Sequence, residues 1–159
     1  MKLARAIHFD ESDMNVFHSS ARTGEWCVSG GFEFSNWSGA DLEGKARQAF
    51  ANGWLGLETF GRVTFVAVTQ IEPAEKDQIT RNLAEHFVQF YGAPSVEAAM
   101  GVAQSEVEHM SDLCEDHAAN TLLTVARELS EAGVHESYRV ITPQDAQLEA
   151  LAVHGSLDD

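Results

Sequence analysis

Basic residues are scarce in this chain, whose 159 residues include 10 Lys and Arg against 25 Asp and Glu, for a formal charge of −15. Affinity for a phosphate backbone comes from Lys and Arg displacing condensed counterions, so this imbalance excludes nucleic acid as a partner. Cysteine is scarcer still. Cys27 and Cys114 stand 87 positions apart, offering no C-x-x-C pair and no quartet for structural zinc, and both read as reduced thiols. No apolar run approaches the roughly 18 residues that cross a bilayer, and Met1 to His8 lack the apolar core of a signal peptide. The expectation is a cytoplasmic protein with no membrane partner. With only three prolines and no low-complexity stretch, nothing reads as an interdomain linker.

Familiar catalytic and nucleotide motifs are also missing. Gly56-Leu57-Glu58-Thr59-Phe60-Gly61-Arg62-Val63 has two glycines at P-loop spacing, but Arg-Val stands where Lys and Ser or Thr must meet phosphate and magnesium. There is no dinucleotide fingerprint and no nucleophile elbow. Asp10-Glu11-Ser12-Asp13 resembles half of a calcium loop without its turn glycine or distal glutamate.

What is present is a foldable core: 44% of residues are apolar, enough for one domain of this length. Alternation predicts a strand over about 2–9 and another over 25–34, where Trp26, Val28, Phe32 and Phe34 share a parity and Gly30-Gly31 marks a bulge or a close backbone approach. Ser38 and Asp41 have capping-box spacing ahead of a helix carrying Leu42, Ala46, Ala49 and Phe50. Segments 54–59 and 63–71 flank Phe60-Gly61-Arg62 as a hairpin would, and the second is apolar on both parities, like a central strand. Pro73 opens a helix with the stripe Ile79, Leu83, Phe87 and Phe90, and Pro94-Ser95 opens another running to about Asp116. Residues 121–141 divide at Ala132-Gly133; Leu, Ala and Glu favour a helix for the first half, but the turn and the strand-like second half favour a hairpin, which we adopt. Residues 1–142 thus predict a single α+β domain, with a mainly antiparallel sheet of five or six strands and helices packed on one face. Residues 143–159 predict a short terminal helix and acidic tail, and the sheet's other face needs that helix or a second subunit to cover it.

Candidate chemistry collects on the helix beginning at Ser95. Glu106 and His109 lie three residues apart and face one another along the helix, the E-x-x-H spacing of carboxylate-bridged metal sites, and Asp116 extends that edge. A di-metal bundle requires a second such helix, which the chain lacks, so a divalent metal there competes with a plain structural role. His86 falls within an apolar stripe and reads as a buried imidazole. Trp26, Trp54 and Phe60, with Glu25, Glu58 and Arg62, would line a pocket for a small cationic or aromatic ligand, to which His86 is the other candidate contributor. His8, Asp10, Asp13 and His18 form a polar group after the first strand.

Charge is segregated. The 45 residues between Arg81 and Arg127 contain no Lys or Arg and seven acids: Glu85, Glu97, Glu106, Glu108, Asp112, Glu115 and Asp116. Four more acids follow Pro143, again without a base. A single-sign surface steers partners of opposite sign, so a protein partner with a basic surface is favoured over phosphorylated substrates.

The runs Gly24-Glu25-Trp26 through Phe34, Arg47 through Arg62, and Asp112-Leu113-Cys114 resemble a small bacterial family of unknown function over about residues 1–141. That resemblance implies a bacterial single-domain protein and brings no activity, cofactor or site residue. The reading reached from sequence is an uncharacterised, non-enzymatic accessory or interaction domain that offers an acidic helical face to a protein partner, with self-association through its sheet as a further expectation. The alternatives are a small divalent-metal protein using Glu106, His109 and Asp116, and a small-molecule binder using Trp26, Trp54, Glu58 and His86.

Overall fold

The computed structural model of the chain describes residues 1–8, 16–34 and 43–142. Seven antiparallel strands form one sheet in the order β4-β3-β2-β1-β5-β6-β7, one or two strands more than the sequence predicts. They are β1 (Lys2–Ile7), β2 (Trp26–Val28), β3 (Trp54–Gly56), β4 (Arg62–Val63), β5 (Phe65–Gln70), β6 (Leu122–Ser130) and β7 (Gly133–Ile141). Among the described residues three helices accompany them: α1 (Gly44–Asn52), α2 (Pro73–Tyr91) and α3 (Val96–Glu115). The α+β class stands, as does the hairpin over 121–141, where β6 and β7 pair from Leu122 with Ile141 to Ser130 with Gly133.

Local chemistry sets the helix ends. Pro73 occupies the first turn of α2, where its missing N–H costs nothing, and Gly92 ends the helix in the left-handed region at φ 73°. Ser95 caps α3 by accepting a hydrogen bond from the Ala98 N–H. No basic residue stands in the last turn of any of the three helices. Lys2, at the start of β1, supplies the cation for α3 by donating from Nζ to the carbonyls of Glu115 and His117.

Several sequence expectations change. The strand predicted over 25–34 stops at Val28, and Gly31–Phe34 forms a 3-10 turn. Gly30, at φ +74°, turns the chain, and a Cβ there would lie 2.4 Å from the Leu55 Cβ. This is the close approach that the glycine pair signals. The hairpin around Phe60-Gly61-Arg62 consists only of β3 and the two residues of β4. The chain breaks at Thr64, and β5 pairs with β1 on one side and β6 on the other. Its residues Phe65 to Val68 are all buried, as a strand with apolar residues on both parities requires. Ser38, Asp41 and the terminal helix lie outside the described residues, and Glu43 at the N-cap of α1 makes no side-chain capping bond.

Directly paired residues share a face of the sheet. One face carries Ala4, Ala6, Val66, Val68, Leu123 and Val125, and joins Val107, Met110 and Cys114 of α3 in the main core. The other carries Phe65, Ala67, Leu122 and Ile141, a second cluster whose members are 3–7% exposed in the single chain. These four side chains are already covered within the single chain. The sheet also curls. Its curvature brings Tyr138 of β7 into a stack on Trp54 of β3, with ring centroids 5.8 Å apart, and Glu136 into a hydrogen bond from the Ser29 hydroxyl.

Gly30→Ala would impose a left-handed backbone on a residue with a Cβ and press that Cβ into Leu55. Urea unfolding should show a loss of about 2–3 kcal/mol.

Candidate functional site

The curled sheet closes around two buried arginines. Arg127 lies on the inward parity of β6, directly opposite Glu136 of β7, and its Nε donates to Glu136 at 2.7 Å. Its Nη1 donates to the carbonyls of Phe50 at 2.9 Å and Gly53 at 2.8 Å, and Nη2 donates to the Ser29 carbonyl. The carbonyls of Ala49 and Phe50 belong to the last turn of α1, where Ala49 also accepts the backbone N–H of the C-cap residue Gly53 at 3.0 Å. A cation from β6 thus adds to the one backbone cap of α1, whose own last turn holds no base.

Arg62 of β4 meets the same carbonyls from the other side. Nη1 donates to Gly53 at 3.0 Å and Ser29 at 3.4 Å, and Nη2 to Gly30 at 3.0 Å and the Glu33 carboxylate at 2.5 Å. Both guanidinium groups lie over the Phe34 ring, at 4.6 Å for Arg62 and 5.4 Å for Arg127. Two like charges in one place require two counter-charges, and Glu33 and Glu136 provide them.

Glu33 is the busier carboxylate. Besides Arg62, it accepts a hydrogen bond from the Tyr91 hydroxyl at the end of α2, and its Oε2 lies 3.7 Å from His86 Nε2. Burial pushes its carboxyl up, while His86, Arg62 and Tyr91 pull it down more strongly, to about 2. Burial, and then the neighbouring Arg127, pull Arg62 down to about 10 against Glu33. The pair therefore carries a desolvation cost on its cationic side that offsets much of what the carboxylate gains.

His86 is 8% exposed and lies flat against Phe60, with ring centroids 3.9 Å apart and planes 1° from parallel. Phe60 sits at φ +57°, an unusual conformation for an aromatic residue that costs about 1–3 kcal/mol and persists only when its surroundings enforce it. Glu25 enforces it. Buried beneath the loop, its carboxylate accepts the backbone N–H groups of Glu58 at 2.8 Å, Thr59 at 2.7 Å and Arg22 at 2.7 Å, as well as the Thr59 hydroxyl. The two glycines at P-loop spacing also belong to this arrangement. A Cβ on Gly56 would strike the Glu25 carboxylate at 2.1 Å, and one on Gly61 would strike the Ser20 backbone at 2.5 Å. Backbone bonds between Arg62 and both Ser19 and Ala21 hold the 19–21 segment alongside β4. The result is a cavity of about 260 Å³ lined by Phe17, His18, Glu33, Phe34, Phe60 and Arg62, with Ala46 and Ala49 of α1 on one wall.

Of the four pocket residues named from sequence, none lines this cavity; His86 comes nearest, stacked on Phe60 and set beside Glu33. Trp26 lies under the Arg5 guanidinium at 4.1 Å and donates to Glu75. Trp54 is in the core against Tyr138, and Glu58 is exposed, joining the loop through its backbone N–H. On α3, Glu106 is half-buried and its carboxyl is raised by burial, with His109 opposing and Glu136 adding to the rise. His109 reaches the Tyr138 hydroxyl at 3.1 Å, while Asp116 is the exposed C-cap residue. Among the described residues no group of three or more His, Cys, Asp or Glu is placed to hold a metal ion. Asp10 and Asp13 lie outside the described residues, His8 bonds to the Ala21 carbonyl and His18 lines the cavity. Both thiols are free and buried, and burial pushes Cys27 well up and Cys114 to about 12, so neither is a ready nucleophile.

Arg127→Met would strip Glu136 of its cation and remove the donor from the Phe50 carbonyl, and should cost about 3–5 kcal/mol by urea unfolding. Glu33 has a pH signature. Its folded value lies below the ordinary glutamate value near 4.3, so its contribution of about 3 kcal/mol is complete above about pH 5 and lost as pH falls towards 2. Glu33→Gln should be less stable at neutral pH and show a flatter decline in urea midpoint across that window.

No helix among the described residues is long and apolar enough to cross a membrane. Neither the curated proteins nor the solved structures contain a match to the chain. A family-level comparison does match, and its match extends through the tail to residue 159, past the 1–141 span that resemblance implies. The chain belongs, over residues 1–159, to the family of unknown function DUF6505.

Proposed function

We propose that the protein is a non-enzymatic interaction domain whose α2–α3 hairpin docks a basic segment of another protein. The observation that carries this reading is the exposure of six of the seven acids between Arg81 and Arg127: Glu85, Glu97, Glu108, Asp112, Glu115 and Asp116. A base-free run of this kind on packed helices directs a field outward, which speeds encounter with a cation-rich surface and repels anionic ligands. Lys76 of α2 offsets only Glu108, with which it pairs. Phe90 at 64% exposure and Val102 at 56% give the same pair of helices apolar side chains that a partner would bury.

The experiment compares the wild-type chain with a charge-reversed variant, Glu97→Lys, Asp112→Lys and Glu115→Lys, for capture of proteins from the native lysate at low and high salt. The expected result is a partner with a basic surface held by the wild type at low salt, released by high salt and not captured by the variant. Identical capture by both forms, or capture indifferent to salt, would overturn the reading. Because the three positions are exposed, the variant should stay within about 0.5 kcal/mol of the wild type in unfolding.

A further inference from the structure

Asn52 ends α1 and Gly53 follows it, forming the one Asn-Gly pair in the chain. A glycine after an asparagine leaves the backbone nitrogen with no Cβ to shield it, so in a loose chain that nitrogen attacks the asparagine's own carboxamide. Asparagine is thermolabile for this kind of reason. The structure nevertheless requires both members of the pair. A Cβ on Gly53 would lie 2.8 Å from the Ala49 carbonyl oxygen and 3.1 Å from the Arg62 Cβ. Nδ2 of Asn52 donates to the Val125 carbonyl at 3.2 Å, two residues past Leu123, where the pairing of β6 with β5 ends.

The same contacts hold the pair inert. The Gly53 N–H is engaged with the Ala49 carbonyl at 3.0 Å, and the Asn52 carboxamide is engaged with Val125. The Gly53 carbonyl accepts from Arg62 at 3.0 Å and from Arg127 at 2.8 Å, which fixes the chain just beyond the reacting nitrogen. Ring closure also turns ψ of Asn52 away from its helical value. These restraints belong to one turn of one helix, and they are released together when that turn leaves β6.

We propose that Asn52-Gly53 is a self-modification site gated by the docking of α1, converting to aspartate or isoaspartate when the last turn of the helix detaches. The Gly53 nitrogen bonds to Asn52 Cγ, the Cγ–Nδ2 bond breaks, and the carboxamide nitrogen leaves as ammonia with the proton lost by Gly53. Water then opens the five-membered imide. Attack at Cγ gives aspartate; attack at the main-chain carbonyl gives isoaspartate, whose main chain is one methylene longer. Neither product restores the native contacts. A carboxylate presents oxygen to the Val125 carbonyl oxygen and adds negative charge to a helix C-terminus, where the donors of Arg127 are committed to Glu136, Phe50, Gly53 and Ser29. Because the conversion does not reverse, the site sums the time that α1 spends detached. It needs no partner and takes nothing from the α2–α3 surface.

The test incubates the full chain in mildly alkaline buffer, native and in concentrated urea, and follows every asparagine by peptide mass spectrometry. Native conversion at Asn52 is expected to be at least tenfold slower than in urea, with the other asparagines unchanged in the native sample. Ala46→Gly weakens α1 from a half-buried position and should speed native conversion about fivefold, leaving the rate in urea unchanged. Gly92→Ala, at the left-handed end of α2 with open space around it, destabilises the chain away from α1 and should leave the native rate unchanged. Asn52→Asp, one of the two products, should unfold at lower urea than the wild type. No native conversion, a native rate equal to that in urea, equal acceleration by Ala46→Gly and Gly92→Ala, no acceleration by Ala46→Gly, or an Asn52→Asp chain as stable as the wild type would overturn the proposal.

Discussion

Two guanidinium groups converge on the end of one short helix, and the remainder of the structure is arranged around that encounter. Arg127 and Arg62 come from strands at opposite parts of the sheet order, β6 and β4, yet both donate to the Gly53 carbonyl. They can do so only if the sheet curls. The stack of Trp54 on Tyr138 and the bond from Ser29 to Glu136 are made possible by the same curvature. Glu33 and Glu136 then act as counter-charges, and the Phe34 ring lies beneath both cations.

Burying four charges is not an efficient route to stability, because the desolvation of each ion cancels much of the attraction. The arrangement contributes specificity of geometry instead. An apolar cluster at this junction could slide. A planar guanidinium with donors in fixed directions has one orientation that satisfies Phe50, Gly53, Ser29 and Glu136 together. In a chain with 10 basic residues their placement also matters: Lys2, Arg62 and Arg127 all serve helix carboxyl ends or the turn after them, and Lys2 and Arg127 are remote in sequence from the helix they serve.

Elements with local signals were legible in the sequence. Pro73, Ser95 and the Gly92 terminator define α2 and α3 closely, and β6 with β7 follows from the turn at Gly133. The second strand reads too long because side-chain parity continues through Phe32 and Phe34, whereas the backbone has already turned at Gly30. The hairpin after Trp54 reads too simply, since periodicity does not reveal that β5 leaves β4 to pair with β1. For the candidate site, the sequence pointed to His86, Phe60 and Arg62 but joined them to tryptophans that lie in the core or under Arg5. Glu33, Tyr91, Arg127 and Glu136 were not singled out. The one signal available was an Arg and a Glu at facing positions of a hairpin, each on the parity otherwise occupied by Leu123, Val125 and Tyr138. Long-range pairing of that kind depends on sheet curvature, which a linear pattern does not encode.

The helix that receives the two arginines is only nine residues long and has neither an N-terminal side-chain cap nor a base in its last turn. Isolated helices shorter than about 12–15 residues are marginal in water, so α1 exists because the sheet has already brought Arg127 and Arg62 into place. In folding it is a late arrival, since Arg127 must first be delivered from a strand far along the chain. In the native state it has little stability of its own. Ala46 and Ala49 of that helix form a wall of the cavity, which makes the cavity's boundary movable on that side and fixed on the side held by Glu25. Access to the interior is thereby linked to the fraying of one helix, with the buried arginines setting how often it frays.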